Sequence, residues 1–205
     1  MLGGMADRPY HHGDLRAVLI ANAERALAAG GPSALSLREL AREAGVSHAA
    51  PGRHFKDKRA LLDALALTGF DRLTDRLERA LDPSRGGPRP DASSHARVLV
   101  LARTYVEFAI DNAALLDLMY ARKHDSDVGA QLSAAVDRLL DTVVRPIIDG
   151  QAEGEISGGD PWSVALTVSA TLHGFAALHA GTSPEKFEET LSEVVRVLFR
   201  GLTPR

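Results

Sequence analysis

The chain has 205 residues, with eight histidines and no cysteine, and these limits bound its chemistry. Without thiols it has no disulfide framework, no zinc ribbon and no cysteine nucleophile. The histidines could hold a metal only at suitable spacings. His11 and His12 adjoin, His48 and His54 fall in one short segment, and His173 and His179 stand six positions apart. Six positions place the last pair on different faces of a helix. No His-Glu-x-x-His pair occurs, and no Gly-rich phosphate loop follows a strand. Asp111, Asp117 and Asp125 have no partner at a spacing that suits acid–base work. The residues therefore predict no catalytic centre, no metal site and no cofactor.

Hydrogen-bond donors concentrate elsewhere, in "SHAAPGRHF" from Ser47 to Phe55. Ser47, His48, Arg53 and His54 are donors, and Ala49 and Ala50 are small contact groups. Carried on one helix face, such a set can meet base edges in a major groove. The net charge of −3 opposes a polyanionic partner, but its distribution does not. Residues 1–60 carry nine Lys/Arg and six Asp/Glu, a net of +3, whereas residues 61–205 carry a net of −6. A basic first quarter on an acidic body suits an anionic partner at one end only.

The elements that must position these groups are all helical. Apolar spacing follows the 3-4 pattern, with no strand-like alternation. The first helix is predicted over 13–29, with Leu15, Val18, Leu19, Asn22, Ala23 and Ala26 on one face and "GGP" as its stop. The second starts at Ser36, where "SLRE" reads as a capping box with Glu39, and ends at Gly45. The third follows Ser47 and ends near Phe55, and the fourth runs from Asp57 to Leu81. The Pro- and Gly-rich stretch Asp82–Ser94 reads as a flexible loop. Five more helices follow over about 94–111, 112–122, 127–152, 160–181 and 184–201. Asp160-Pro161 and Ser183-Pro184 read as cap-plus-proline starts. The fold class is all-α with about nine helices: a trihelical helix-turn-helix domain over 1–56 and a larger helical bundle over 57–205.

Composition agrees with a globular chain, at 45% apolar and 25% charged residues. No apolar run approaches the ~18 residues of a membrane span. The first residues, "MLGGMADRPYHHGD", lack the apolar core of a signal peptide. The absence of cysteine suits a reducing cytoplasm.

The segment from about Tyr10 to Ala66 resembles the DNA-binding domain of the TetR family of bacterial transcriptional regulators. The matching residues are "AGVS" at Ala44–Ser47, "HF" at His54-Phe55 and "DKRALLDAL" at Asp57–Leu65. "LHGF" at Leu172–Phe175 resembles a His-Gly element of one group of TetR-like C-terminal domains. That group usually carries tryptophan one turn earlier, where Ser169 stands. The resemblance implies a homodimeric repressor on a near-palindromic double-stranded DNA operator, released by an unknown small-molecule effector, with no membrane partner. It implies phosphate contacts at Ser36, Arg38 and Lys58, and reading contacts at Ser47, His48, Ala49, Ala50 and His54, with Arg53 on the same face. The residues leave other roles open: Ser36 and Ser47 as caps, Arg38 and Lys58 as solvated charges, His54 packed on the first helix. Arg8, His11 and His12 form either an arm along the groove or a frayed end.

Gly52 departs from the family pattern, which usually places a tyrosine there to donate to a phosphate. Glycine also costs a helix interior roughly 1 kcal/mol relative to alanine. Gly52 thus either admits a closer DNA approach with altered specificity or weakens binding; the rival function is a helical small-molecule-binding protein that has lost DNA binding. Pro51, four residues after Ser47, is expected to delay or tighten the start of the reading helix. In the body, Tyr105, Phe108, Met119, Tyr120 and His173 are the candidate wall of a ligand pocket. Ala165, Ser169, Ala176 and Ala180, with Leu191, Val195 and Leu198, are the candidate dimer interface. Ordinary intrachain packing competes with both assignments.

Overall fold

The computed structural model describes residues 12–125, 127, 129–179 and 184–202. Among these residues lie eight α-helices and three short 3-10 turns, with no strand. The helices are α1 His12–Gly30, α2 Leu37–Glu43, α3 Lys58–Leu81, α4 Ser94–Asp111, α5 Ala113–Lys123, α6 Ala130–Ala152, α7 Pro161–His179 and α8 Pro184–Leu202. The α6 start lies three residues later than its spacing suggested. The Gly181–Ser183 break and its serine cap fall outside the described residues.

α1 buries Leu15, Leu19, Ala23 and Leu27, a stripe with a four-residue step. α2 turns Leu40 and Ala41 inward. The capping box expected at its start does not form. Ser36 has the extended backbone of a cap, but its side chain caps nothing. Glu39 instead accepts from Arg42 Nε at 2.8 Å. A charged donor one turn away on an exposed face competes well with a backbone amide. Gly45 ends the unit at φ 67°, a conformation that favours glycine. Val46 N then donates back to the Ala41 carbonyl at 3.0 Å, which closes the turn.

The ninth helix, expected between Ser47 and Phe55, is replaced by successive tight turns. Ala50 N donates to Ser47 O at 2.9 Å, Arg53 N to Ala50 O at 3.2 Å, and His54 N to Pro51 O at 2.9 Å. Only Pro51–Arg53 forms a 3-10 turn. Proline lacks the N–H that would donate to Ser47 O, so that carbonyl serves Ala50 three residues on.

α3 starts cleanly because the Asp57 carboxylate accepts from Ala60 N at 2.8 Å. Its 24 residues span about 36 Å. It packs on α1, α4, α5 and α6. Buried residues of the first helices and of the body form one continuous core. Arg72 on α3 also donates to both carboxylate oxygens of Glu24 on α1, at 2.6 and 2.9 Å. That pair holds the Glu24 carboxyl below its ordinary pKa. α4 packs against α3, α6, α7 and α8. The Asp82–Ser94 stretch contains the 3-10 turn Pro83–Arg85, and Ser93 caps α4 by accepting from Ala96 N.

Candidate nucleic-acid interface and internal cavity

The turn segment is anchored from beneath. Pro51 and Phe55 are buried, with the Arg16 guanidinium 5.6 Å from the centre of the Phe55 ring. Ser47, His48, Ala49, Gly52 and Arg53 are exposed, while Ala50 and His54 are half-buried. Their amides and side chains present a short irregular surface, where a regular helix was expected. Arg38 on α2, Lys56, and Lys58 at the start of α3 are also exposed. Ser36 is half-buried beside them. None of Arg38, Arg53, Lys56 and Lys58 takes part in an ion pair among the described residues. Four free cations around one protruding turn form a surface suited to phosphates. Arg8 and His11 lie outside the described residues.

Gly52 is open on all sides. A Cβ built there meets nothing within 4 Å, and its φ is not in the left-handed region. Neither the backbone nor its neighbours require glycine.

The body holds a cavity of about 540 Å³ that opens to the surface beside Trp162 and Leu166. Phe70 and Leu73 of α3, Tyr105 of α4, Met119, Tyr120 and Lys123 of α5, and Val136, Leu139, Leu140, Val143 and Val144 of α6 contribute walls. α7 contributes Trp162, Ala165, Leu166, Ser169, Ala170 and His173, a single stripe. A side chamber of about 40 Å³ shares Tyr105, Val143, Ala165 and Ser169 with it. Four of the five pocket residues expected from sequence therefore line one cavity. Phe108 does not. It is fully buried, with the Arg76 guanidinium 5.4 Å from its ring centre, because its position on α4 faces the α3 side of the core.

The polar residues of the cavity cluster at one end. The Tyr105 hydroxyl lies 3.0 Å from His173 Nδ1 and 3.2 Å from the Tyr120 hydroxyl. The Tyr120 and His173 rings are 4.9 Å apart. Lys123 Nζ sits 4.3 Å from the Tyr120 ring centre. Burial, with Tyr120 beside it, pushes the Tyr105 phenol well above its ordinary pKa, so it remains a neutral donor.

The dimer residues expected from sequence do not face outward. Ala165, Ala176, Leu191 and Val195 are buried within their own subunit, Ser169 lines the cavity, and Leu198 packs half-buried on the core. Ala180 lies outside the described residues. Both stripes were real, but the intrachain core uses them. The outward strip of α7 is instead Leu166, Ala170, Gly174, Ala177 and Leu178, with Leu166 70% and Leu178 83% exposed. On α8 it includes Val197, 55% exposed.

An ionic network joins the cavity to the start of α3. Arg122 donates from Nε to Asp63 at 2.7 Å and from NH1 to Asp125 at 2.6 Å. Arg59 reaches Asp125 and Asp127, both at 3.2 Å. The Asp127 amide, then Arg59 and Arg122, hold the Asp125 carboxyl below its ordinary pKa. Arg122 is followed directly by Lys123 and His124, both in the cavity wall.

Residues 98–202, just over half the chain, match the family model described as tetracyclin repressor-like, C-terminal domain. Residues 19–65 match bacterial regulatory proteins, tetR family. The chain belongs to the TetR family. It is a DNA-binding transcriptional regulator of the ligand-responsive kind. A protein of unknown function from Rhodococcus sp. RHA1 is 44% identical, over 97% of this chain and all of that one, with a TM-score of 0.84. An uncharacterized HTH-type transcriptional regulator, YobS of Bacillus subtilis, is 25% identical over 84% of each chain. The Bacillus subtilis regulator FadR, in complex with stearoyl-CoA, shares the fold at 15% identity and a TM-score of 0.72, over 91% of this chain and 99% of that one.

Within this TetR-family frame, sequence reasoning missed Lys123, Trp162 and the Arg59–Arg122 network. Lys123 was accessible to it: it lies three and four residues after Tyr120 and Met119, on their helix face. Trp162 lies on the His173 stripe. Apart from the local Arg122–Asp125 pair, the ionic network joins residues 59 to 68 positions apart, and no local spacing signals those links. No helix among the described residues is long and apolar enough to cross a membrane.

Proposed function

We propose that the chain is a homodimeric repressor that binds a near-palindromic operator through residues 1–56 and is released when a small molecule occupies the cavity in residues 57–205. The ionic network carries this reading. It fastens the α5–α6 turn, which continues the cavity wall, to Arg59 and Asp63 at the start of α3. Lys58 and the reading turn immediately precede them. A ligand that displaces the end of α5 favours a different placement of α3 and of the turn, and so biases the DNA-competent population. Ser36, Arg38 and Lys58 serve phosphate, and the exposed 47–54 turn serves the groove edge. Dimerisation uses the outward strips of α7 and α8, which bring two reading turns to one face of the duplex. The reading includes no catalytic step, no metal and no cofactor, and places the protein in the cytoplasm.

Footprinting of the DNA flanking its own gene tests the proposal. The expected result is a protected site with two symmetric halves, about one helical turn apart, which is lost on adding an effector. Protection of a single half-site, or protection that no cavity ligand changes, overturns it. Gly52 favours a second reading, a ligand-binding protein without DNA function. Under that reading, no flanking DNA is protected at low salt and the salt dependence of binding is near zero.

A further inference from the structure

The cavity has an uncommon charge pattern. Lys123 and two histidines, His124 and His173, stand in its wall, and no carboxylate does. Lys123 has no acidic partner among the described residues; its ammonium rests on the Tyr120 ring. Partial burial lowers its pKa, because the charged form is desolvated there. A partly desolvated ammonium whose neighbour is a ring face lacks a counter-charge, and an anion would supply one.

The α7 stripe gives the shape. Trp162 and His173 lie eleven residues apart on one face, about 16 Å along the axis. The polar cluster occupies the His173 end. Trp162 and Leu166, both exposed as well as wall-forming, occupy the other. The remaining walls are mainly apolar, from Leu73, Leu139 and Val143 among others, with the Ser169 hydroxyl on the α7 stripe.

We infer that the effector is an elongated amphipathic monoanion, its carboxylate held by Lys123, Tyr120 and His173 and its apolar body running toward Trp162. This rests on the cavity being the effector site. With the Tyr105 hydroxyl donating to His173 Nδ1, the ring carries its proton on Nε2, which can donate to the bound carboxylate, and the Tyr120 O–H is free to do the same. A neutral amphipath gains no contact with the ammonium, and a cationic one meets Lys123 as a like charge.

Trp162 is the sole tryptophan of the chain and reports from the cavity itself. The full chain is titrated with dodecanoate, dodecan-1-ol and dodecyltrimethylammonium below their micelle concentrations, following Trp162 emission and the melting temperature. Dodecanoate is expected to saturate at a concentration at least about tenfold lower than the alcohol, since hydrogen bonds to charged groups are the strong ones. The ammonium compound should bind more weakly than the alcohol. Lys123→Met should shrink the acid–alcohol gap to under about threefold without moving the alcohol; Lys123→Arg should keep it. The inference is overturned if the alcohol or the ammonium compound matches the acid, or if Lys123→Met leaves the gap intact. Equal binding by all three leaves the effector-site reading standing and removes only the anion. No response to any of them removes both.

Discussion

Gly52 occupies the centre of the reading turn. The sequence offered two accounts of it: a glycine needed for close backbone approach, or a lost phosphate contact. The open space around it and its ordinary backbone favour the second, since nothing there excludes a side chain. Gly52→Tyr should therefore fit without strain and tighten operator binding about fivefold, the value of one added hydrogen bond. Fluorescence anisotropy across a salt series measures it, and an unchanged or weaker affinity refutes it. Pro51 was legible as a residue that tightens the turn, because its missing N–H is a local property. The loss of the whole α-helix was less so, since it also depended on Pro51 and Phe55 being buried beneath the turn.

At the scale of elements, helix starts and stops were legible wherever a cap or a break acts locally. Asp57 caps α3, Asp160 accepts from Ser163 N at 3.0 Å at the start of α7, and Gly45 closes α2. The Ser36–Glu39 box failed because Arg42 offered Glu39 a better partner. The link from α5 to α3 yields two predictions. Arg59 is half-exposed and its ion pairs are solvent-screened, so Arg59→Ala should change the denaturation midpoint little. It should nevertheless cut the ligand-induced change in operator affinity about fivefold, a typical coupling energy. Anisotropy titrations with and without saturating ligand decide this, and an unaltered ligand effect rules out the network as the coupling route. Arg122 is only 12% exposed between two carboxylates. Arg122→Ala should destabilise the fold by about 3 kcal/mol, seen as a lower denaturation midpoint.

At the scale of the whole molecule, the two faces of α7 and α8 separate folding from assembly. Leu191→Ala lies in the subunit core and should cost about 2–5 kcal/mol in denaturant unfolding. Leu178→Glu with Val197→Glu lies outside both core and cavity. It should leave the monomer fold intact and convert a dimer to a monomer by light scattering, with operator affinity falling alongside. A double variant that stays dimeric would place the interface elsewhere.

The sequence by itself determined the all-helical architecture, the position of the helix-turn-helix, most helix boundaries and the presence of apolar stripes. These depend on caps, glycines, prolines and a 3.6-residue period, which act over a few positions. Only the tertiary structure decided which stripe turned inward. It buried Leu191 and Val195, placed Phe108 in the core, gathered Lys123, Tyr105, Tyr120 and His173 from three helices, and joined Arg59 to Asp125 and Asp127. An apolar stripe states that a face will be buried but not against what, because its partner comes from residues distant in the chain.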